Sequence, residues 1–231
     1  MGVRRRGDSR ISLAEINVYP LKGGRGFQPQ AWPLDATGLR MDRRWMLIDS
    51  NGQAVTQRSN PMLALIEVVV DSQELMFTAP GREAARSPVD PPSGERTKVW
   101  MEGAGAVLAS PVGNGLDEWF SAALGRECHL VYRPEDGDRW VDGRSDQGHP
   151  LNFQNAYPLN LVSQASLDDL NLRFRVPISM NRFRPNLTLS GTDPHEDDEW
   201  KRVQIGETIL LIGRACDHRC GVPNIDPGTG E

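Results

Sequence analysis

The chain has 231 residues, of which 38% are hydrophobic and 25% charged, and its formal net charge is -5. This length allows one large domain or two small ones, and the composition is typical of a globular protein rather than a disordered or fibrous one. The acidic balance argues against nucleic-acid binding, which requires a basic face. A small anionic ligand is still compatible with it, because such a ligand needs only a local cluster of cations.

The chain has three cysteines, which is an odd number and too few for a secreted scaffold held together by disulfides. A reducing, cytoplasmic location is therefore expected. The basic start, "MGVRRRGDSR", leads into no apolar run and does not resemble a signal peptide. Since no segment approaches about 18 consecutive apolar residues, the sequence also predicts no membrane span.

The first half of the chain is dominated by short apolar–polar alternations separated by turn residues, which is the pattern of β-strands. Strands or hairpins are predicted at 11–20, 44–57, 62–79 and 128–134. Asn51-Gly52 supplies the first hairpin turn, because these residues accept positive φ angles. The Pro- and Gly-rich segment 80–96 is expected to be a long exposed loop. Segment 115–125 predicts a helix with one apolar face, ended by Gly125.

The charged segment 133–148 is interpreted as a linker between two domains, 11–132 and 149–231. The elements predicted after it are a strand at 158–163, a short helix at 166–174, a strand at 184–191 and a hairpin at 203–213. Ser166 and Asp169 are expected to form a capping-box-like start to the helix. The sum is a mainly β protein with a few short helices, arranged as two β-barrel-like domains. A nucleotide-binding α/β fold is disfavoured, because helices do not alternate with strands.

The segment "RACDHRCGVPNIDPGTG" (214–230) carries two of the three cysteines, Cys216 and Cys220. A zinc site usually has two residues between paired cysteines and a second ligand pair elsewhere. The remaining candidate zinc ligands are Cys128, His129, His149, His195 and His218. A disulfide is disfavoured in a reducing compartment, and Cys216 is expected to be a buried, inert thiol. Cys220 follows Arg219, whose charge favours a thiolate that can act as nucleophile or soft-metal ligand, although a buried thiol is the alternative.

Basic side chains occur where predicted strands end. Lys22 lies in "YPLKGG", Arg43 in "DRRW", and Arg184 and Asn186 in "RPN". At strand spacing, Arg182 and Arg184 would point the same way. Arginine and lysine suit phosphate or carboxylate groups, whereas the alternative for each of these residues alone is a surface salt bridge.

Several motifs in order, "YPLKG", "GLRMDRRWMLID", "VTQR", "NLVSQASLDDLN", "NRFRPNLTLSG" and "CDHRCGVPNIDPGTG", resemble the MOSC family over about residues 11–231. This is the molybdenum cofactor sulfurase C-terminal domain, preceded by its N-terminal β-barrel domain, and the motifs resemble those of its two-domain amidoxime-reducing members. The resemblance implies that Cys220 ligates molybdenum and is the catalytic residue. The residues that it implies for binding the pyranopterin cofactor are Lys22, Gly23, Arg43, Ser163, Arg184, Asn186 and Arg219.

The implied activity is two-electron reduction of an N-hydroxylated small molecule by a molybdenum-cofactor-dependent oxidoreductase. Electrons are expected from a separate ferredoxin-like or b-type cytochrome donor, because a fused plant-type iron–sulfur domain needs four cysteines. Pyridoxal phosphate is not expected. Gly23 stands where many relatives have Ser, so one side-chain contact to the cofactor is replaced or lost. Relatives also continue beyond "DPGTG", so a C-terminally truncated MOSC domain is expected, or one that is completed in another way.

Two other functions fit parts of the pattern. A sulfur carrier would hold a persulfide on Cys220, and a non-catalytic domain would merely bind the cofactor or a partner protein. A sulfur carrier has little use for Lys22, Arg43, Arg184 and Asn186 together. Their joint presence therefore favours the cofactor-binding enzyme.

Overall fold

The computed structural model describes residues 11–71, 73–92, 95–134, 136, 139–141, 149–213 and 221–231. These residues form short strands, two α-helices and several 3-10 turns, so the predicted mainly β fold is confirmed. The strands are β1 Ser12–Ile16, β2 Leu34–Asp35, β3 Gly38–Leu39, β4 Trp45–Ile48, β5 Glu67–Val70, β6 Glu74–Thr78, β7 Ala85–Pro88, β8 Thr97–Met101, β9 Gly105–Pro111, β10 His129–Tyr132, β11 Leu161–Ser163, β12 Leu187–Ser190, β13 Arg202–Ile205 and β14 Thr208–Leu211. The helices are α1 Leu116–Leu124 and α2 Gln164–Asn171.

The strands pair into five small sheets. Their orders are β4-β10-β9-β8, β5-β6-β7, β1-β12-β11, β2-β3 and β13-β14. Among the described strands every sheet is open, so the expected barrel-like halves are β-rich layers rather than closed barrels. None of the helices in the described ranges is long and apolar enough to cross a membrane.

The main core lies between the sheets of the first half and helix α1. Leu116, Phe120 and Leu124 are buried along one helix face, and Gly125, with a φ of 65°, ends the helix as predicted. Phe120 meets Phe77 edge to face, with ring centroids 5.0 Å apart. Burying each large apolar side chain contributes about 1.5–3 kcal/mol, so this cluster stabilises the packing of α1 against the sheets of the first half.

The first strand of the chain pairs with a strand of the second half. Strand β1 runs antiparallel to β12, from Ser12 opposite Ser190 to Ile16 opposite Leu187, and β12 runs parallel to β11. Just beyond β1, the Asn17 amide donates to the Asn186 carbonyl at 2.8 Å. The loop after β1 and the loop before β12 therefore meet, while the domain boundaries at 132 and 149 stay a prediction.

Both hairpins predicted in the first half are present. Strands β5 and β6 pair antiparallel as expected for 62–79, although Pro61–Leu65 before them is a 3-10 turn and Ser72 of the predicted turn lies outside the described residues. In the 44–57 hairpin, Gly52 has the expected positive φ of 73°, whereas the backbone of Asn51 does not have a positive φ, so that half of the turn prediction is wrong. The return chain pairs with β4 through the bridge between Ile48 and Ala54.

Two sequence predictions are wrong in detail. Segment 80–96 is not simply a loop, because β7 pairs with β6 and buries Ser87 opposite Leu75. Helix α2 begins before the predicted Ser166. Ser163, whose backbone is extended, caps the helix by accepting from the Ser166 amide, while the Ser166 hydroxyl donates to Asp197.

The expectation that Arg182 and Arg184 point the same way is also wrong. Met180–Phe183 forms a 3-10 turn, Arg184 has a left-handed φ of 52°, and the strand begins only at Leu187. Arg182 donates to the Pro223 carbonyl and to Asp226 of the C-terminal segment. Arg184 turns instead toward the loop after β1, which places it in the cluster described next.

Candidate cofactor-binding site

Lys22 joins the two halves of the chain. Its backbone amide donates to the Trp45 carbonyl at 2.8 Å, which fixes the loop after β1 against β4. Its ammonium donates to the Phe153 carbonyl at 2.8 Å and to Asn155 Oδ1 at 2.7 Å. These two acceptors occupy only part of the three-donor capacity of the ammonium, so Lys22 can still donate to a ligand.

The surroundings of Lys22 are strongly positive. Burial, and then the charges of Arg43, Arg139 and Arg184, lower the pKa of Lys22 from 10.5 to about 7. Each of these charges disfavours a further cation. A bound anion would reverse the effect, so the electrostatics of this cluster fit a phosphate or carboxylate ligand.

Arg43 is held in place from several sides. Its Nη1 donates to Asp42 Oδ2 at 2.5 Å and to Asn186 Oδ1 at 3.0 Å, and its Nη2 donates to the Arg184 carbonyl at 3.1 Å. Its backbone has a left-handed φ of 49°, which for a non-glycine residue costs about 1–2 kcal/mol. These hydrogen bonds therefore fix the Arg43 guanidinium against a strained backbone.

Arg184 shares an aromatic platform with Arg43. The guanidinium carbons of Arg184 and Arg43 lie 4.3 and 4.7 Å from the ring centroid of Tyr19. Arg184 Nη1 donates to the Gly24 carbonyl at 2.6 Å, and burial followed by the Arg43 charge lowers the pKa of Arg184 to about 10. Among the described residues, neither the buried Arg184 Nη2 nor the buried Tyr19 hydroxyl has a hydrogen-bond partner. Unpaired buried groups are costly, and a polar ligand at Arg184 would satisfy its free N–H groups.

Asn186 organises the cluster rather than offering a free group. Its amide nitrogen donates to Asp42 Oδ1 at 3.0 Å and to the Asn17 carbonyl at 3.2 Å. Its oxygen accepts from Arg43 Nη1 and from the Asn160 amide, both at 3.0 Å. Because these partners occupy both ends of the amide, its contribution to a ligand site is to orient Arg43.

Gly23 has a steric reason to be glycine. Its φ is 85°, and a Cβ added there would lie 2.6 Å from Leu63 Cδ2. Its carbonyl accepts from Gln57 Nε2 at 2.7 Å, which fixes the loop against the Thr56–Ser59 turn. A serine at this position would require Leu63 to move.

Ser163 lies apart from the Lys22 cluster in its contacts. Its hydroxyl caps α2 by accepting from the Ser166 amide and shares a 2.5 Å hydrogen bond with Thr192. Its backbone amide donates to Asp197 Oδ2 at 3.2 Å. Its role in cofactor binding stays a prediction, and what the geometry gives it is a helix-capping role.

The predicted metal ligand Cys220, its neighbour Arg219, and also Cys216 and His218 lie outside the described residues. Within the described ranges, no group of three His, Cys, Asp or Glu side chains could hold a metal ion. The description resumes at Gly221, whose backbone lies against Arg58, since a Cβ added to Gly221 would be 3.2 Å from Arg58 Nε.

Three of the remaining candidates for a zinc site, Cys128, His129 and His195, are engaged elsewhere. Cys128 is buried in the core of the first half, and burial raises the pKa of its thiol. His129 pairs with Asp117 at 2.9 Å, and His195 pairs with Asp169 at 3.1 Å. These side chains do not converge on a common centre among the described residues.

Sequence reasoning missed four residues that build the cluster. Tyr19 is the platform, and the buried carboxylate of Asp42 pairs with Arg43 and accepts from the Tyr19 amide at 2.9 Å. Asn155 accepts from Lys22, and Arg139 reaches the Asn152 and Asn155 carbonyls at 2.5 and 3.0 Å. Asp42 directly precedes Arg43 in the sequence, which is a local signal for an ion pair, whereas the other three carry no local signal.

The chain matches two family descriptions: the MOSC N-terminal beta barrel domain at residues 10–127 and the MOSC domain at residues 148–231. It therefore belongs to the MOSC family. It is 33% identical to a molybdenum cofactor sulfurase of Oryza sativa subsp. japonica, over 96% of the chain and 29% of that protein. It is 30% identical to mitochondrial amidoxime reducing component 2 of Homo sapiens, over 98% of the chain and 70% of that protein. The corresponding protein of Rattus norvegicus is 29% identical, over 95% of the chain and 68% of its own length.

Proposed function

We propose that this protein is a molybdenum-cofactor-dependent oxidoreductase that reduces N-hydroxylated small molecules. The observation that carries the proposal is the convergence of Lys22, Arg43 and Arg184 on one cluster, in which the buried Arg184 Nη2 has no hydrogen-bond partner in the described part of the chain. The similarity to amidoxime reducing components, about 70% of whose length the chain spans, supports the choice of substrate class. The chain spans only 29% and 30% of the length of two plant sulfurases, so they support the family more than the reaction.

The residues of the cluster fit the anionic part of the cofactor. A pyranopterin cofactor ends in a phosphate, and arginine forks and lysine ammonium groups are the usual phosphate ligands. Among the described residues, Lys22 donates to only two acceptors and Arg184 Nη2 has no partner, so both can donate to the phosphate. Arg43, fixed by Asp42 and Asn186, contributes charge from a set position. Cys220 is proposed as the thiolate ligand of the metal.

When bound, the cofactor supplies a two-electron redox couple at the molybdenum. In the overall reaction the N–O bond of the substrate breaks. Two electrons from a separate ferredoxin-like or b-type cytochrome protein, with two protons from solvent, convert the N–OH group to N–H and release water. The residues of this chain bind and orient: Lys22 and Arg184 hold the anionic end of the cofactor, while Asn186 and Asp42 keep Arg43 directed at the same region.

The test is metal and pterin content after expression in a host that makes the cofactor. We expect stoichiometric molybdenum and pterin in the wild type and about tenfold less in Arg184→Lys, which loses the second guanidinium nitrogen and its fork geometry. The control is Arg86→Lys. Arg86 is an exposed arginine that pairs with Glu74 within the β5-β6-β7 sheet. Loaded wild type should then reduce an N-hydroxylated benzamidine with a chemical electron donor.

Other outcomes would reject the proposal. If Arg184→Lys contained as much molybdenum and pterin as the wild type, Arg184 and its cluster would not be the site that binds the cofactor. A metal-free protein with a persulfide on Cys220 would establish the sulfur-carrier alternative, which is the function that the sulfurase relatives bring into consideration. Zinc in place of molybdenum would indicate a structural metal site.

A further inference from the structure

A short turn connects the Lys22 loop to the residue that follows Cys220. Gln57 donates to the Gly23 carbonyl at 2.7 Å, and the next residue, Arg58, lies against Gly221. The turn is stiffened from within, because the Thr56 amide donates to Ser59 Oγ at 3.0 Å. A ligand bound beside Arg58 would therefore lie near Gly221, the residue that follows the predicted metal ligand in the sequence.

A groove opens beside Arg58. It has a cavity volume of about 300 Å³, and Trp100, Glu102, Arg58, Gln53 and Thr56 are among its lining residues. This volume is at the lower end of the range for small-molecule sites, so it suits a ligand of one ring with a small polar group. Its walls come from the Thr56–Ser59 turn and from strand β8 with the residue after it.

Trp100 is an exposed aromatic wall on a fixed backbone. Since Val99 and Met101 are buried, strand alternation turns Trp100 and Glu102 to the opposite, outer face. Trp100 is 48% exposed. Its backbone is nevertheless fixed, because its amide donates to the Gly52 carbonyl and its carbonyl accepts from the Ala54 amide, both at 2.8 Å. The indole is therefore positioned to stack on a flat ligand.

Glu102 provides a carboxylate within reach of the same ligand. It pairs with Arg58 through two hydrogen bonds of 3.0 Å, and the two side chains are 73% and 62% exposed. Exposed ion pairs of this kind contribute little stability, so a ligand cation can replace Arg58 at the carboxylate. An amidinium is planar and presents two N–H groups side by side, which matches a carboxylate as a guanidinium fork does.

We propose that this groove is the substrate site for flat aromatic N-hydroxyamidines, with Trp100 stacking on the ring and Glu102 recognising the amidine. The turnover part of this inference rests on the proposed function, whereas binding of the amidine product does not. Reduction of the N-hydroxyamidine, with two electrons and two protons, gives water and the amidine, which is protonated at neutral pH. Glu102 then faces a cationic product, and Trp100 contacts both forms.

The first test is binding of benzamidine to the full chain. Isothermal titration calorimetry measures the affinity, and NMR monitors the indole N–H resonance of Trp100, which is assigned by its loss in Trp100→Phe. We expect Trp100→Ala to weaken benzamidine binding about three- to tenfold, the range for loss of one aromatic or cation–π contact. Trp100→Phe, which keeps an aromatic ring, should weaken benzamidine binding less than Trp100→Ala does. The matched control is Phe174→Ala, which removes another aromatic side chain that is also 48% exposed and should leave the affinity unchanged.

The carboxylate is tested separately. Glu102→Gln should weaken binding of benzamidine while leaving that of neutral benzamide unchanged, because only the former carries a charge to be matched. Absence of benzamidine binding to the wild type, or equal affinity in Trp100→Ala and wild type, would overturn the proposal.

The loaded enzyme separates this inference from the proposed function. Trp100→Ala should raise KM for N-hydroxybenzamidine about three- to tenfold and leave KM for hydroxylamine, which has no ring, unchanged. If the wild type reduces both substrates and Trp100→Ala changes neither KM nor benzamidine affinity, the groove is rejected and the function stands. If benzamidine binds as expected but the protein takes up no molybdenum, the function fails and the amidine site stands.

Discussion

The side-chain amide of Asn186 donates to the carboxylate of Asp42 at 3.0 Å in the protein interior, although the two residues are 144 positions apart in the sequence. Asp42 in turn accepts from the Tyr19 amide and pairs with Arg43. A buried charge of this kind is tolerated only while it is paired and hydrogen-bonded. The Asp42–Asn186 hydrogen bond therefore does two things: it stabilises the fold, and it holds the carboxylate that orients Arg43 in the cation cluster.

Asn186→Ala should lower the free energy of unfolding by about 2–4 kcal/mol, because it leaves the Asn160 amide and part of the Asp42 carboxylate without partners. Urea unfolding measures this loss. Asn51→Ala, at an exposed turn position, is the control and should stay within about 0.5 kcal/mol of the wild type. A loss as small as that of the control would show that the network does not stabilise the fold.

Lys22 should make stability depend on pH in a defined window. Its pKa is about 7 in the folded protein against an ordinary 10.5, so between these values the unfolded chain holds a proton that the folded chain has released. Stability from this residue therefore rises as pH increases through the window and is lower below pH 7. Lys22→Met should remove that rise in urea unfolding measured across the window.

Lys98→Met is the matched control for this pH dependence, because Lys98 is exposed on β8. It should unfold with the same pH dependence as the wild type. If the wild type, Lys22→Met and Lys98→Met gave parallel curves above pH 7, the low pKa of Lys22 would be refuted.

Gly23→Ser should destabilise the protein, because the new Cβ meets Leu63 Cδ2 at 2.6 Å and the backbone φ is 85°. The left-handed backbone alone costs about 1–2 kcal/mol for a non-glycine residue. In the double variant with Leu63→Ala, the steric part should disappear, so the two losses in free energy of unfolding should sum to more than the loss of the double variant. Strict additivity in this cycle would exclude the clash.

Cys220→Ala should lose its molybdenum, while Cys216→Ala should largely keep it, because Cys220 alone is proposed as the ligand. Metal content per chain is measured in each variant after expression in a host that makes the cofactor. Circular dichroism establishes that both variants are folded. Equal metal loss from the two folded variants would indicate a site built from both cysteines.

The cluster could be predicted from the sequence only as a set of residue types. Lys22, Arg43 and Arg184 each follow or precede a strand, and the resemblance to a family grouped them, but no local spacing indicates that two of them share the ring of Tyr19. That contact arises from the pairing of β1 with β12, which is a long-range event. Local patterns cannot encode it.

Local signals were more dependable for elements than for their ends. Helix α1 was predicted because its apolar face and its terminal Gly125 agree. Helix α2 was placed too late, because Ser163, Ser166 and Asp169 offer two plausible caps and only the extended backbone of Ser163 decides between them. The 3-10 turn at Met180–Phe183 was missed because tertiary contacts, such as that of Arg182 with Asp226, hold it in place.

The pairing of β1 with β12 also bears on how the protein is made. Ser12 and Ser190, which face each other across these strands, are separated by 178 residues. At a synthesis rate of about 5–20 residues per second, β1 waits on the order of 10 s or more for its partner to leave the ribosome. During that interval β1 is an unpaired strand that can be captured by other nascent chains. We therefore expect newly made protein to depend on chaperones until residues 187–190 emerge.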